Sequence, residues 1–87
     1  IEDTNVFNTQ AGGLANGHGI LFDTVKSSKI IRTQLHDNRS SGIELIGDND
    51  TIALIECVAM NNDIGFDFFP TSTATCCLVQ DCRAVNN

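Results

Sequence analysis

The sequence predicts an all-β chain of the β-solenoid type, and three observations predict it. Gly-apolar steps recur at Gly19-Ile20, Gly42-Ile43 and Gly65-Phe66, spaced 23 and 23 residues apart. An asparagine precedes each by three or four residues (Asn16, Asn38, Asn62), and Asn87 takes the same place in a fourth unit, giving asparagine spacings of 22, 24 and 25. Apolar residues alternate with others at a period of two after each glycine, and no stretch carries a helical period. A repeat of this length has no room for a helix beside two or three short strands. The chain must then lie on itself, one coil per repeat, with each column of like residues stacking at the ~4.8 Å inter-strand spacing.

Each element follows from those columns. Counting back from the asparagines, the fifth place holds Ala11, Thr33, Cys57 and Cys82, and the third holds Gly13, Leu35, Ala59 and Ala84. The eighth holds Asn8, Ile30, Leu54 and Val79, and the tenth Val6, Ser28, Ile52 and Cys77. These columns are expected to face inward. After the glycine, Ile20/Phe22, Ile43/Leu45 and Phe66/Phe68 point inward, while Leu21, Glu44 and Asp67 point out. The asparagine column is placed at a tight bend, because Asn tolerates the left-handed backbone region and its amide can bond the amides above and below. The segments Gly47–Thr51 and Phe68–Thr75 read as loops, the second containing Pro70, which has no N–H to give a ladder.

Composition sets limits. The chain has 87 residues, hydrophobic content 41%, charged content 18% and five Phe as its entire aromatic set, so one domain over residues 1–87 is expected. A chain this short is marginal unless it is stapled, oligomeric or part of something larger. The formal charge of −6 argues against a nucleic-acid partner, which would want clustered Lys and Arg. No basic amphipathic stretch suits an anionic membrane, and no apolar run approaches the ~18 residues of a span. The repeat stops in mid-phrase at Asn87 and no amphipathic helix precedes Val6, so the segment is expected to belong to a longer solenoid or to stack on copies of itself.

The four cysteines are Cys57, Cys76, Cys77 and Cys82. They lack the paired spacing that structural zinc uses. Cys57 and Cys82 share one inward column, where a disulfide would be strained because the side chains run parallel. Free thiols acting as small apolar side chains are expected there.

The loose pattern of apolar strand, Cys, Ala, Asn and Gly-Ile resembles the right-handed parallel β-helix repeat of pectin-lyase-like proteins. The resemblance covers about three and a half coils of 22–25 residues. It implies a right-handed parallel β-helix, a carbohydrate-related surface or assembly scaffold, polysaccharide as a partner class, and an extracellular or cell-surface setting. It also raises the alternative of a polysaccharide lyase or glycoside hydrolase with catalytic residues on other coils or across an interface. Gly17-His18-Gly19 resembles one element of the polygalacturonase signature. The other elements are missing: Asn8-Thr9-Gln10 has no acid, no Asp-Asp pair occurs, and Lys29–Arg32 differs from Arg-Ile-Lys. His18 then reads as a turn residue before a repeat glycine, and no catalytic residue or cofactor is assigned. Glu44 and Asp67, stacked two places after the glycine, are the candidate ligands for adventitious Ca²⁺. Arg32 is expected to pair with Glu56 on the next coil. Phe7, Ala53 and Leu78 in one column, with Ile31 and Ile55 in another, are expected to make an aliphatic outer face.

Overall fold

The computed structural model of the chain describes residues 1–7, 9, 17–70 and 78–87. These residues form ten strands and no helix. In chain order they are β1 (Asn5–Phe7), β2 (Ile20–Asp23), β3 (Lys26–Ile31), β4 (Gln34–His36), β5 (Ser41–Gly47), β6 (Asp50–Ile55), β7 (Val58–Met60), β8 (Ile64–Pro70), β9 (Leu78–Gln80) and β10 (Arg83–Val85). Every pairing is parallel, and the strands sort into three sheets: β1-β4-β7-β10, β2-β5-β8 and β3-β6-β9. The chain visits the three sheets in turn and returns to each one strand further on.

The inward faces of all three sheets meet in one core. Ile20, Ile43 and Leu45 come from the second sheet, Ile30, Ile52 and Leu54 from the third, and Leu35 and Cys57 from the first sheet and the bend leading into it. Strand alternation explains which residues those are. Successive side chains point to opposite faces, so Ile30 and Leu54 are buried while their neighbours Ile31 and Ile55 lie outside, half-buried. In-register stacking keeps the columns: Ile20 pairs with Ile43 and that with Phe66, Ile30 with Leu54 and that with Val79, Leu35 with Ala59 and that with Ala84.

The bends between sheets are stacked as strictly as the strands. Asp3, Arg32, Glu56 and Asp81 all have φ between 47° and 55°, and each immediately precedes the strand of the first sheet by two residues. Asp37, Asn61 and Asn86 have φ between 54° and 56° and precede the ladder asparagines. This corrects the expected source of the turn: the residue before Asn38, Asn62 and Asn87 adopts the left-handed region, and the ladder asparagine itself does not.

The first circuit is offset from the sequence-based alignment. Val6 pairs with Leu35, not with Ser28, so β1 belongs to the asparagine-side sheet. The residue that bonds Asn38 from below is Thr9, 29 positions earlier. Asn16, the first expected ladder member, lies outside the described residues, as do Ala11, Gly13, Cys76 and Cys77. The expected loop from Phe68 also begins later than predicted, because Phe68 to Pro70 continue β8, with Pro70 opposite Gly47. The remainder of that loop, 71–75, lies outside the described residues.

Candidate functional site

The outer side of the second sheet gathers the most chemistry. Glu44 and Asp67 are register partners on β5 and β8, one strand apart. Glu44 points outward between the inward-facing Ile43 and Leu45, yet only 9% of it is exposed. The reason is His18, whose Nε2 lies 2.7 Å from Glu44 Oε2. An ionised carboxylate has no hydrogen to give, so the imidazole N–H donates. Gly17 (φ 97°) turns the chain just before His18, and the Gly19 N–H donates to the Ser41 carbonyl at 2.9 Å, fixing the histidine over β5. Ser41 Oγ donates to Asp67 Oδ2 at 3.3 Å.

His18 is thus the residue that sequence reasoning missed, since it read as a turn residue. Its flanking glycines gave the only signal, and that signal spoke of the turn, not of the carboxylate waiting across it. The arrangement can orient an imidazole beside a second carboxylate and can hold a proton at His18 Nε2. As a Ca²⁺ site it is short of ligands. Such an ion takes six to eight oxygens, and among the described residues no three His, Cys, Asp or Glu side chains gather around one point.

The asparagine ladder has a regular bonding scheme. Asn38 donates from both its backbone N–H (3.0 Å) and its Nδ2 (2.9 Å) to Asn62 Oδ1. Asn62 does the same to Asn87 Oδ1, at 3.0 and 3.1 Å. Each Nδ2 also donates to a carbonyl one circuit below: Asn38 to Val6, Asn62 to Leu35 and Asn87 to Ala59. Buried bend amides are satisfied in this way without sheet pairing. The glycine column follows from the same packing. A Cβ on Gly42 would lie 2.7 Å from the Gly65 carbonyl oxygen and 3.0 Å from Asn62 Nδ2, and one on Gly65 2.9 Å from Asn87 Nδ2. Gly19 has the equivalent place against Asn38. A second amide of the same kind was not foreseen: buried Asn49 accepts from the Val25 N–H at 2.8 Å and donates to the Phe22 and Ile46 carbonyls.

The cysteine column is explained by the bend beneath it. Thr4, Thr33, Cys57 and Cys82 each donate to the carbonyl two residues earlier, at 2.7, 3.0, 3.5 and 3.5 Å. Hydroxyl and thiol are interchangeable here because each is a short side chain with one donor. Both cysteines are free thiols, and burial pushes the Cys57 thiol above its ordinary pKa.

Arg32 pairs downward, contrary to expectation. Its Nε lies 2.6 Å from Asp3 Oδ1 and its guanidinium 3.5 Å from Glu2 Oε2, while Glu56 acts on it only as a more distant charge. The outer-face column also changes membership. Lys29, not Phe7, stands below Ala53 and Leu78. Phe7 stacks instead on His36, with ring centroids 5.1 Å apart and planes 4° from parallel, and His36 Nδ1 lies 2.6 Å from Asp37 Oδ2. Comparison with family models, curated proteins and solved structures finds no match to the chain.

Proposed function

We propose that the chain is a segment of a right-handed parallel β-helix of the pectin-lyase-like kind, serving as a scaffold or binding surface that joins further coils or another copy of itself through its last circuit. One observation carries this reading. Phe68 and Val79 continue inward-facing columns but are 41% and 45% exposed, whereas Leu45 and Leu54 below them are 3% and 0% exposed. Apolar residues aimed along the stack, on strands whose outer edge is unpaired among the described residues, are what another layer of parallel strands would cover. The three parallel sheets and the asparagine ladder support the coil reading. Sedimentation velocity at two protein concentrations tests self-stacking. Concentration-dependent association supports it, and a monomer at both concentrations overturns it.

The alternative reading is a polysaccharide-active site, and the His18–Glu44 pair beside Asp67 favours it. An oriented imidazole next to a carboxylate is a combination that proton transfer uses. Incubation with acidic polysaccharides, watching for unsaturated product in the near ultraviolet, separates the two. Product release that is lost in His18→Ala supports the enzyme; no release leaves a surface that binds polysaccharide or none at all.

A further inference from the structure

The bends give the stack a direction. The left-handed residues flanking the first sheet donate their N–H groups toward the last circuit: Asp3 to the Ile31 carbonyl, Arg32 to Ile55, Glu56 to Gln80, Asp37 to Met60 and Asn61 to Val85. The ladder does the same, from the Asn38 N–H to Asn62 and from the Asn62 N–H to Asn87, and the Cys57 N–H donates to Cys82 Sγ. Bend donors therefore gather at one end of the stack and bend acceptors at the other.

In the last circuit the corresponding donors are the N–H groups of Asp81, Cys82, Asn86 and Asn87, and among the described residues no strand lies beyond β10 to receive them. The first circuit holds the matching acceptors. Glu2 pairs with Ile31 and Phe7 with His36, so the Glu2 and Phe7 carbonyls take the places that Gln80 and Val85 have higher in the stack. Thr4 fills the cysteine column and Thr9 the ladder place, each with a hydroxyl oxygen that can accept.

The apolar columns match as well. Ile1 stands one circuit below Ile30 and is 50% exposed, while Val79 at the other end of that column is 45% exposed. A second copy set with its first circuit on this last circuit continues each column: its Ile1 covers Val79, its Val6 covers Ala84, its Ile20 covers Phe66 and its Phe22 covers Phe68. Two last circuits face to face would instead set donor against donor. The junction brings Asp81 toward the second copy's Asp3, but Arg32 Nε already holds that carboxylate at 2.6 Å, so Asp81 meets an ion pair and not a bare charge.

We propose that a second copy of the chain docks head to tail, its first circuit on the last circuit of its neighbour. The junction is heterologous, so each added copy leaves one donor end and one acceptor end open and the stack extends as a filament. This rests on the self-stacking reading and adds its polarity.

The test blocks one end at a time. Val79→Asp places a charge on the donor end and Ile1→Asp on the acceptor end, both at half-exposed positions, and circular dichroism reports whether each variant folds. Sedimentation velocity is run at a concentration where the parent associates. Each variant alone should be monomeric, and their equimolar mixture should give a dimer and nothing larger, formed by the intact first circuit of Val79→Asp and the intact last circuit of Ile1→Asp. Dimers of Ile1→Asp alone, or a mixture that stays monomeric, overturn the polarity while leaving self-stacking in place. A parent that is monomeric at every concentration overturns self-stacking and the polarity with it. Should either variant fail to fold, the parent decides: species that grow beyond the dimer as concentration rises support the head-to-tail junction, and association that stops at the dimer overturns it.

Discussion

At the scale of single residues, the ladder asparagines hold bends that the sheets cannot. Asn62 is buried, and its side chain accepts two hydrogen bonds from Asn38 and donates two, to Asn87 and to the Leu35 carbonyl. Asn62→Ala leaves the buried Asn38 N–H without its acceptor and takes one of the donors from the Leu35 carbonyl, and an unsatisfied buried group costs roughly 1–3 kcal/mol. Loss of at least ~2 kcal/mol is expected in urea unfolding. Asn87 has the same chemistry but is exposed, so water replaces the lost partners. Asn87→Ala should cost well under half as much. Equal losses for the two would mean that burial is not what makes the ladder matter. This column was legible in the sequence because its chemistry demands one residue type at one spacing. The glycines were legible for the same reason, since any Cβ there meets a ladder amide or a carbonyl. His18 was not, because a pairing across an outer face leaves no periodic trace.

Among the elements, the bends set the cost of the fold and the first segment sets its start. Thr51 is a β-branched residue at φ 56°, stacked above Ser27 at φ 51°. The left-handed region costs an ordinary L-residue roughly 1–2 kcal/mol, and asparagine less. Thr51→Asn should therefore raise stability by about 0.5–1 kcal/mol in chemical denaturation, and a lower midpoint would refute the strain argument. The segment before β1 is bound differently, through backbone bonds from Asp3 N–H to Ile31 and from Ile31 N–H to Ile1, and through Asp3–Arg32. The hydrogen bond from Arg32 holds the Asp3 carboxyl below the usual carboxylate range. A lowered folded-state pKa means a contribution present above the ordinary aspartate value of ~3.9 and lost as pH falls through the folded value. The melting temperatures of the parent and of Asp3→Asn should differ at neutral pH and converge as pH falls below the usual carboxylate range. Both side chains are well exposed, so the difference should be small and should shrink further in salt. The sequence placed Arg32 against Glu56 because it assumed an even repeat. The first circuit spans 29 residues where the others span 24 and 25, and loop length, unlike side-chain type, is not fixed by what stacks on it.

For the molecule as a whole, the question is whether the last circuit is an end or a junction. Ile30, Leu54 and Val79 make one inward column across three strands, and exposure along it runs from 0% and 0% to 45%. The column therefore contains its own control. Leu54→Ala opens a cavity in a closed layer and should cost about 2–5 kcal/mol at any protein concentration. Val79→Ala in an isolated chain removes side-chain surface that is already half in water, and should cost roughly 1 kcal/mol or less. If another layer of strands covers β9, Val79 becomes as buried as Leu54, and its truncation then weakens association as well as folding. The stability of the parent should rise with protein concentration by mass action. That rise should be reduced in Val79→Ala and kept in Leu54→Ala, whose loss lies within the monomer. Thermal unfolding of the three proteins across a 100-fold range of concentration reads both effects together. Parallel, concentration-independent curves for all three would make the last circuit an end in its own right.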